Sequence, residues 1–209
     1  MQSLLPKQQF AQRRMALMQW MGSDSIAIVP AALQYIRNRD ADYRYRQDSD
    51  FYYLSGFAEP EAVICIIPNR PQGEFILFCR EKDREREIRD DYRAVVDGVK
   101  EIFGADDSYS ISKLDEIIPV LMEGKKRLYV NLGAQPEFDA RVMNWVNSLR
   151  AKTRQGAKAP AEFVMLNHLL HELRLYKSAD ELNIMRKAGT ISAHAHIRAM
   201  QKAKHGLYE

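Results

Sequence analysis

Apolar positions recur along this chain in two rhythms, and the rhythms predict alternating helices and strands. Phe10, Leu17, Met18 and Met21 fall on one side of a helix that begins after Pro6 and stops at Gly22, with Arg13 and Arg14 on its solvated side. Residues 25–29 read as an apolar strand ended by Pro30, and the polar segment 34–42 as a loop. Two runs rich in aromatic and β-branched residues, 51–54 and 62–67, flank Gly56 and Pro60 and predict a pair of strands. The second run, AVICII, is apolar without interruption, which places it centrally in a sheet with both faces covered.

The same alternation continues beyond the turn at 69–73. Residues 74–79 predict a strand in a hairpin with 63–67. The segment 80–93, REKDREREIRDDYR, reads as a solvated run of local ion pairs. Helices are expected over 98–103 and over 112–122, the latter capped by Ser112. A strand follows over 127–131, then a helix over 136–152 with Phe138, Val142, Trp145, Val146 and Leu149 inward. Alternating strands and helices imply an α/β fold with helices on both faces of the sheet. The small, basic, turn-prone stretch 151–160, AKTRQGAKAP, reads as a linker that ends the first domain. Past it, 160–174 predicts a helix with Phe163, Leu166, Leu169, Leu170 and Leu173 on one face. Ser178 and Glu181 make a capping box opening a helix that runs to about residue 204.

Composition narrows the function classes. The 209 residues carry 46 % hydrophobic side chains, enough for a sizeable core. Basic and acidic side chains, 31 against 28, are interleaved, so no one-signed face suited to nucleic acid is expected. The amino terminus reads as lacking a signal peptide, and the longest uncharged run, 25–36, is too short for a bilayer. Cys65 and Cys79 both fall in predicted core strands, as small buried thiols of a reducing compartment do. These readings together point to a cytoplasmic protein.

Candidate chemistry is sparse. Arg44, Arg46, Asp48 and Asp50 form a polar collar ahead of the 51–54 run, read from the residues alone as a solvated, self-paired loop. His168 and His171 share a helix face, but HLLHE has the order of neither common zinc-protease motif and no third ligand is in view. His194 and His196 are two apart on a helix and point to different faces. No serine sits in a nucleophile elbow and no glycine-rich loop offers a phosphate cradle.

Two stretches carry a resemblance. YRYRQDSDFYYLSGFAEPEA, residues 43–62, is similar to the signature of the amino-terminal domain of Xaa-Pro aminopeptidases (aminopeptidase P), of the creatinase and prolidase superfamily. HELRLYKSADELNIMRKAGTISAHAH, residues 171–196, resembles the entry into the pita-bread catalytic domain of that superfamily. Arg174, Lys177, Ser178, Glu181, Met185, Arg186, Ala188, Ile191 and Ser192 fit its pattern.

The resemblance implies a mixed sheet with helices on both faces over 1–152, a linker and connecting helix over 153–177, and the first helix of a truncated catalytic domain over 178–209. It implies a metallopeptidase that cleaves peptides with proline in second position, uses two manganese ions and forms a homo-oligomer. Two cations about 3.5–4 Å apart generate a hydroxide at neutral pH and stabilise the tetrahedral oxyanion. In the family their ligands lie beyond the entry helix, so none is expected in this chain, and neither bound metal nor peptide hydrolysis is expected of it alone. Three residues become cleft candidates by this resemblance. Arg154 matches the family's linker arginine, Asp40 an acidic residue that reaches a neighbouring subunit's cleft, and Arg89 stands where close relatives carry a cleft-lining tryptophan. Arginine at 89 puts a charge where the family offers an apolar surface. A non-catalytic interaction module, or a truncated relic of the family, stays open as the alternative.

Overall fold

The computed structural model describes residues 5–81 and 96–206. Six strands form one sheet: β1 (Ser25–Pro30), β4 (Val63–Ile66), β5 (Phe75–Cys79), β6 (Asp107–Ser110), β7 (Arg127–Val130) and β8 (Glu162–Met165). Their order is β6-β5-β4-β1-β7-β8. β4 pairs antiparallel with both neighbours, while β5–β6, β1–β7 and β7–β8 are parallel, so the sheet is mixed. A small hairpin, β2 (Ile36–Asn38) with β3 (Ala41–Asp42), stands apart from it.

The period-two alternation of each strand sorts its side chains onto two faces. One face presents Ala27, Val29, Ile64, Ile66 and Leu77 to α1 (Lys7–Met21), α2 (Ser49–Ser55), α3 (Val96–Phe103) and α6 (Leu166–Leu175). The opposite face presents Ile26, Ile28, Cys65, Ile76 and Leu128 to α4 (Leu114–Met122) and α5 (Pro136–Ala151). The expected α/β sheet with helices on both faces is what forms. β4, buried along its whole length, is central. A last helix, α7 (Ala179–Lys202), has no buried residue.

Several expectations are corrected. Residues 51–54 lie in a helix, α2, not a strand. Asp48 caps its start by accepting from Asp50 N and Phe51 N, both at 2.9 Å, and Gly56 ends it in the left-handed region at φ 68°. Asp48 and Gly56 were readable as helix punctuation, and the aromatic content of the run masked them. The predicted loop 34–42 contains the β2–β3 hairpin.

β6, with sequence DSYS, went unpredicted because an edge strand needs little apolar patterning. The cap expected of Ser112 is supplied by Ser110, whose hydroxyl accepts from Ser112 N at 3.2 Å at the head of a 3-10 turn, and α4 begins only at Leu114. Residues 162–165 belong to strand β8 instead of a helix starting at 160: Val164 joins one core and Phe163 the other, a period of two. Residues 82–93 of the charge run, Arg89 among them, lie outside the described residues.

The largest local correction concerns α1. Arg13 and Arg14 are 7 % and 5 % exposed, not solvated. They occupy the third and fourth positions after Phe10, inside the stripe that Leu17 and Met21 continue. Burial is tolerated because α2 ends there, with carbonyls that lack intrahelical donors. Arg13 donates to Tyr53 O at 3.1 Å and Arg14 to Leu54 O at 2.9 Å. Arg14 also lies 3.8 Å from the centroid of Phe75. Burial pulls its guanidinium down to about 10, against the opposing pull of Asp106.

Candidate functional site

The polar collar is organised by Gln47, which is almost fully buried. Its carbonyl oxygen accepts from Ala32 N at 2.8 Å and Asp48 N at 2.9 Å, and its amide donates to Glu59 O at 2.8 Å. A single carboxamide thus ties the exit of β1 to the segments on either side of α2. Arg44 and Arg46 are exposed in a loop, as expected, but the two aspartates are engaged elsewhere. Asp48 caps α2, and Asp50 reaches across to pair with Arg174 of α6.

α2 buries Phe51 and Leu54 in the core and turns Tyr52 and Tyr53 the other way. Tyr52 meets Phe10 edge-on with centroids 5.9 Å apart. The Tyr53 ring lies between two cations, Arg13 at 4.2 Å and Arg174 at 5.9 Å from its centroid. Its hydroxyl donates to Leu173 O at 3.2 Å. Burial raises the Tyr53 phenol above its ordinary value, Arg13 opposing. Arg13 in turn pairs with Glu181 at 3.0 Å, and Gln9 donates to Asp180 at 3.0 Å. Four helices from opposite ends of the chain therefore converge here: α1 and α2 on one side, α6 and α7 on the other.

Two clefts flank this convergence, of about 610 Å³ and 580 Å³. Tyr52, Arg174 and Glu181 line both. The first is completed by His171, Lys177 and Met185, the second by Arg44, Arg46 and Tyr45. Both mix apolar walls with charged side chains. Arg154 and Asp40 line neither cleft. Arg154 is exposed in a 3-10 turn after α5, and Asp40 is exposed between β2 and β3. The convergence itself was missed by sequence reasoning, although Arg13 and Glu181 were both in view.

Among the described residues, no three His, Cys, Asp or Glu stand close enough to hold a metal ion. The described residues do not fit a two-metal centre. The thiols of Cys65 and Cys79 are both pushed up by burial, Cys79 to about 11, which leaves them poor nucleophiles.

Residues 10–129 match the family model of the aminopeptidase P N-terminal domain. The chain belongs to the aminopeptidase P family. It is 36 % identical over 208 residues to the Escherichia coli Xaa-Pro aminopeptidase and 30 % identical over 205 residues to that of Haemophilus influenzae. These alignments cover 99 % and 98 % of the chain but 47 % and 45 % of the relatives, so the chain spans about half their length. The structure of Pseudomonas aeruginosa aminopeptidase PepP superposes with a TM-score of 0.96 at 56 % identity, over 98 % of this chain and 46 % of that one. The zinc-substituted E. coli enzyme in complex with product superposes with a TM-score of 0.94 at 36 % identity, over 98 % of this chain and 47 % of that one. No helix among the described residues is long and apolar enough to cross a membrane.

The wall of the second cleft makes a testable prediction. Tyr45 donates to Ala32 O at 3.2 Å, and burial, helped by the Asp48 carboxylate, raises its phenol to about 12. A folded value above the unfolded one, near 10, favours the neutral phenol in the fold. That stabilisation is fully present below about pH 10 and is lost as pH rises toward about 12. Urea stability of the parent minus that of Tyr45→Phe should therefore shrink across this window. A parent phenol assigned to Tyr45 that ionises near its ordinary value by ultraviolet titration would contradict it.

Proposed function

We propose that this chain is the amino-terminal part of a manganese-dependent Xaa-Pro aminopeptidase. In this reading it shapes one wall of a cleft for peptides with proline in second position, helps assemble a homo-oligomer in the cytoplasm, and does not hydrolyse peptides alone. Residues 1–152 make the amino-terminal domain, 153–177 lead over while adding β8 to its sheet and α6 to its core, and 178–209 begin the catalytic half. Arg154, Asp40 and Arg89 are its candidate cleft residues. The observation that supports the reading most is the superposition on the P. aeruginosa aminopeptidase across nearly the whole chain at 56 % identity.

Two features of the geometry agree with it. The clefts sit where α1 and α2 meet the end of α6 and the start of α7, the point at which a downstream half would join. α7 carries Met185, Ile191 and Met200 more than half exposed, apolar side chains that further chain would cover.

Two proteins test the proposal: this chain alone, and this chain joined to the C-terminal half of the E. coli Xaa-Pro aminopeptidase. With manganese, the joined protein should release the first residue of an Xaa-Pro peptide, and this chain alone should release none. Chelator-sensitive release by the chain alone would overturn the assignment of the chemistry to the other half. A joined protein that folds and assembles as the E. coli enzyme does, yet leaves the peptide intact, would favour the interaction-module reading.

A further inference from the structure

We infer that two ion pairs of opposite polarity form a latch that sets the direction in which α7 leaves the sheet domain. In the first pair the cation belongs to the sheet domain: Arg13 of α1 meets Glu181 of α7 at 3.0 Å. In the second the polarity is reversed: Asp50 of α2 meets Arg174 of α6. Tyr53 stands between them, flanked by both guanidinium groups and bonded to Leu173 O. Arg13 and Asp50 are well shielded, with side chains 8 % and 13 % exposed, so their attraction is screened less than that of a surface pair. Because the polarity alternates, exchanging partners would set Arg13 against Arg174 and Asp50 against Glu181. Like charges would then oppose each other at both contacts, which excludes the exchanged register.

Glu181 joins this latch to the helix it starts. One carboxylate oxygen accepts from Ser178 N at 2.8 Å and closes the capping box, while the other pairs with Arg13. The first turn of α7 is thus nucleated and aimed by the same side chain. α7 buries no residue against the rest of the chain, so packing along its length does not fix its direction. Among the described residues, its first turn is held by Glu181 and by the Gln9 to Asp180 hydrogen bond at 3.0 Å.

The latch rests on contacts within this chain and stands or falls independently of the peptidase reading. The test is an electron-spin distance measurement between nitroxides on Gln19→Cys in α1 and Lys187→Cys in α7, both exposed positions. The native cysteines are buried and stay unlabelled. The parent should give one narrow distance distribution. Glu181→Gln keeps the capping box but loses the ion pair, and should broaden the distribution about twofold or more as further orientations become populated.

Arg174→Glu, which sets two carboxylates face to face, should broaden it likewise. Adding Asp50→Lys to Arg174→Glu restores an opposite pair and should narrow it again. Ser178→Ala removes the cap and leaves the latch, so the main distance should persist. An unchanged distribution in both Glu181→Gln and Arg174→Glu would overturn the inference. So would broadening by Ser178→Ala equal to that of Glu181→Gln, since the cap alone would then aim the helix.

Discussion

Phe57→Ala should destabilise the fold by about 3–5 kcal/mol, as removal of a fully enclosed aromatic ring does. Phe57 is 0 % exposed. Its ring meets Phe103 at 5.1 Å and Phe51 at 6.5 Å between centroids, both edge-on. Those partners come from α3 and α2, so the ring joins two helices on the same face of the sheet. Its backbone N–H is bonded to Ser55 Oγ at 3.0 Å, which fixes the chain as it leaves the left-handed turn at Gly56. The ring belongs to the core cluster between the sheet and these helices, and such packing limits collapse and keeps the cost high. Urea unfolding followed by tryptophan fluorescence should show a lower midpoint with an unchanged slope. Phe57→Leu, which retains much of the apolar volume, should lose less. A loss below about 1 kcal/mol for the alanine variant would mean that the ring is not part of the core. The effect would extend to the candidate site, because α2 carries Asp50, Tyr52 and Tyr53.

Gly73→Ala should cost on the order of 3 kcal/mol, combining backbone strain with damage to a charged hydrogen-bond cluster. Gly73 adopts φ 109°, and a Cβ there would stand 2.1 Å from Asp106 Cβ. Asp106 cannot move freely. One of its carboxylate oxygens accepts from Glu74 N at 2.8 Å and Phe75 N at 2.9 Å, and its own N–H donates to Phe75 O at 2.8 Å. Displacing it would open the start of β5 and remove the carboxylate that opposes the lowering of the buried Arg14. For a protein of this size the loss corresponds to roughly 6–12 °C in Tm.

Gly124→Ala separates the two contributions. Gly124 is also left-handed, at φ 77°, but a Cβ there meets nothing within 4 Å. It should cost only about 1–2 kcal/mol, the backbone term alone. Equal losses at the two positions would show that the contact with Asp106 contributes nothing.

How much of this was legible follows from how each element is determined. The central strands, α5 and the capping box at Ser178 were readable because each rests on local pattern: uninterrupted apolar runs, a 3.6-residue stripe, and a cap with its partner three residues on. α2 was misread because seven residues are too few for periodicity to outweigh aromatic composition. β6 and β8 were missed because a short edge strand is held by backbone pairing with its neighbour, whatever its side chains favour. The candidate site was the least legible part. Arg13 and Arg14 look like solvated charges until the end of α2 arrives to accept from them. Asp50 and Arg174 lie far apart in the chain, and no local rule pairs them.

The sequence by itself determined the α/β class, the central position of β4, the start of α7 at its capping box, and membership of the aminopeptidase P family through residues 43–62 and 171–196. Each of these depends on residues close enough along the chain to act on one another directly. Only the tertiary structure decided that α1 buries two arginines, that Gln47 ties β1 to α2, and that α1, α2, α6 and α7 meet around Tyr53. A buried charge is tolerated only where a particular carbonyl or carboxylate receives it, and which group does so is settled by the packing of helices distant in sequence.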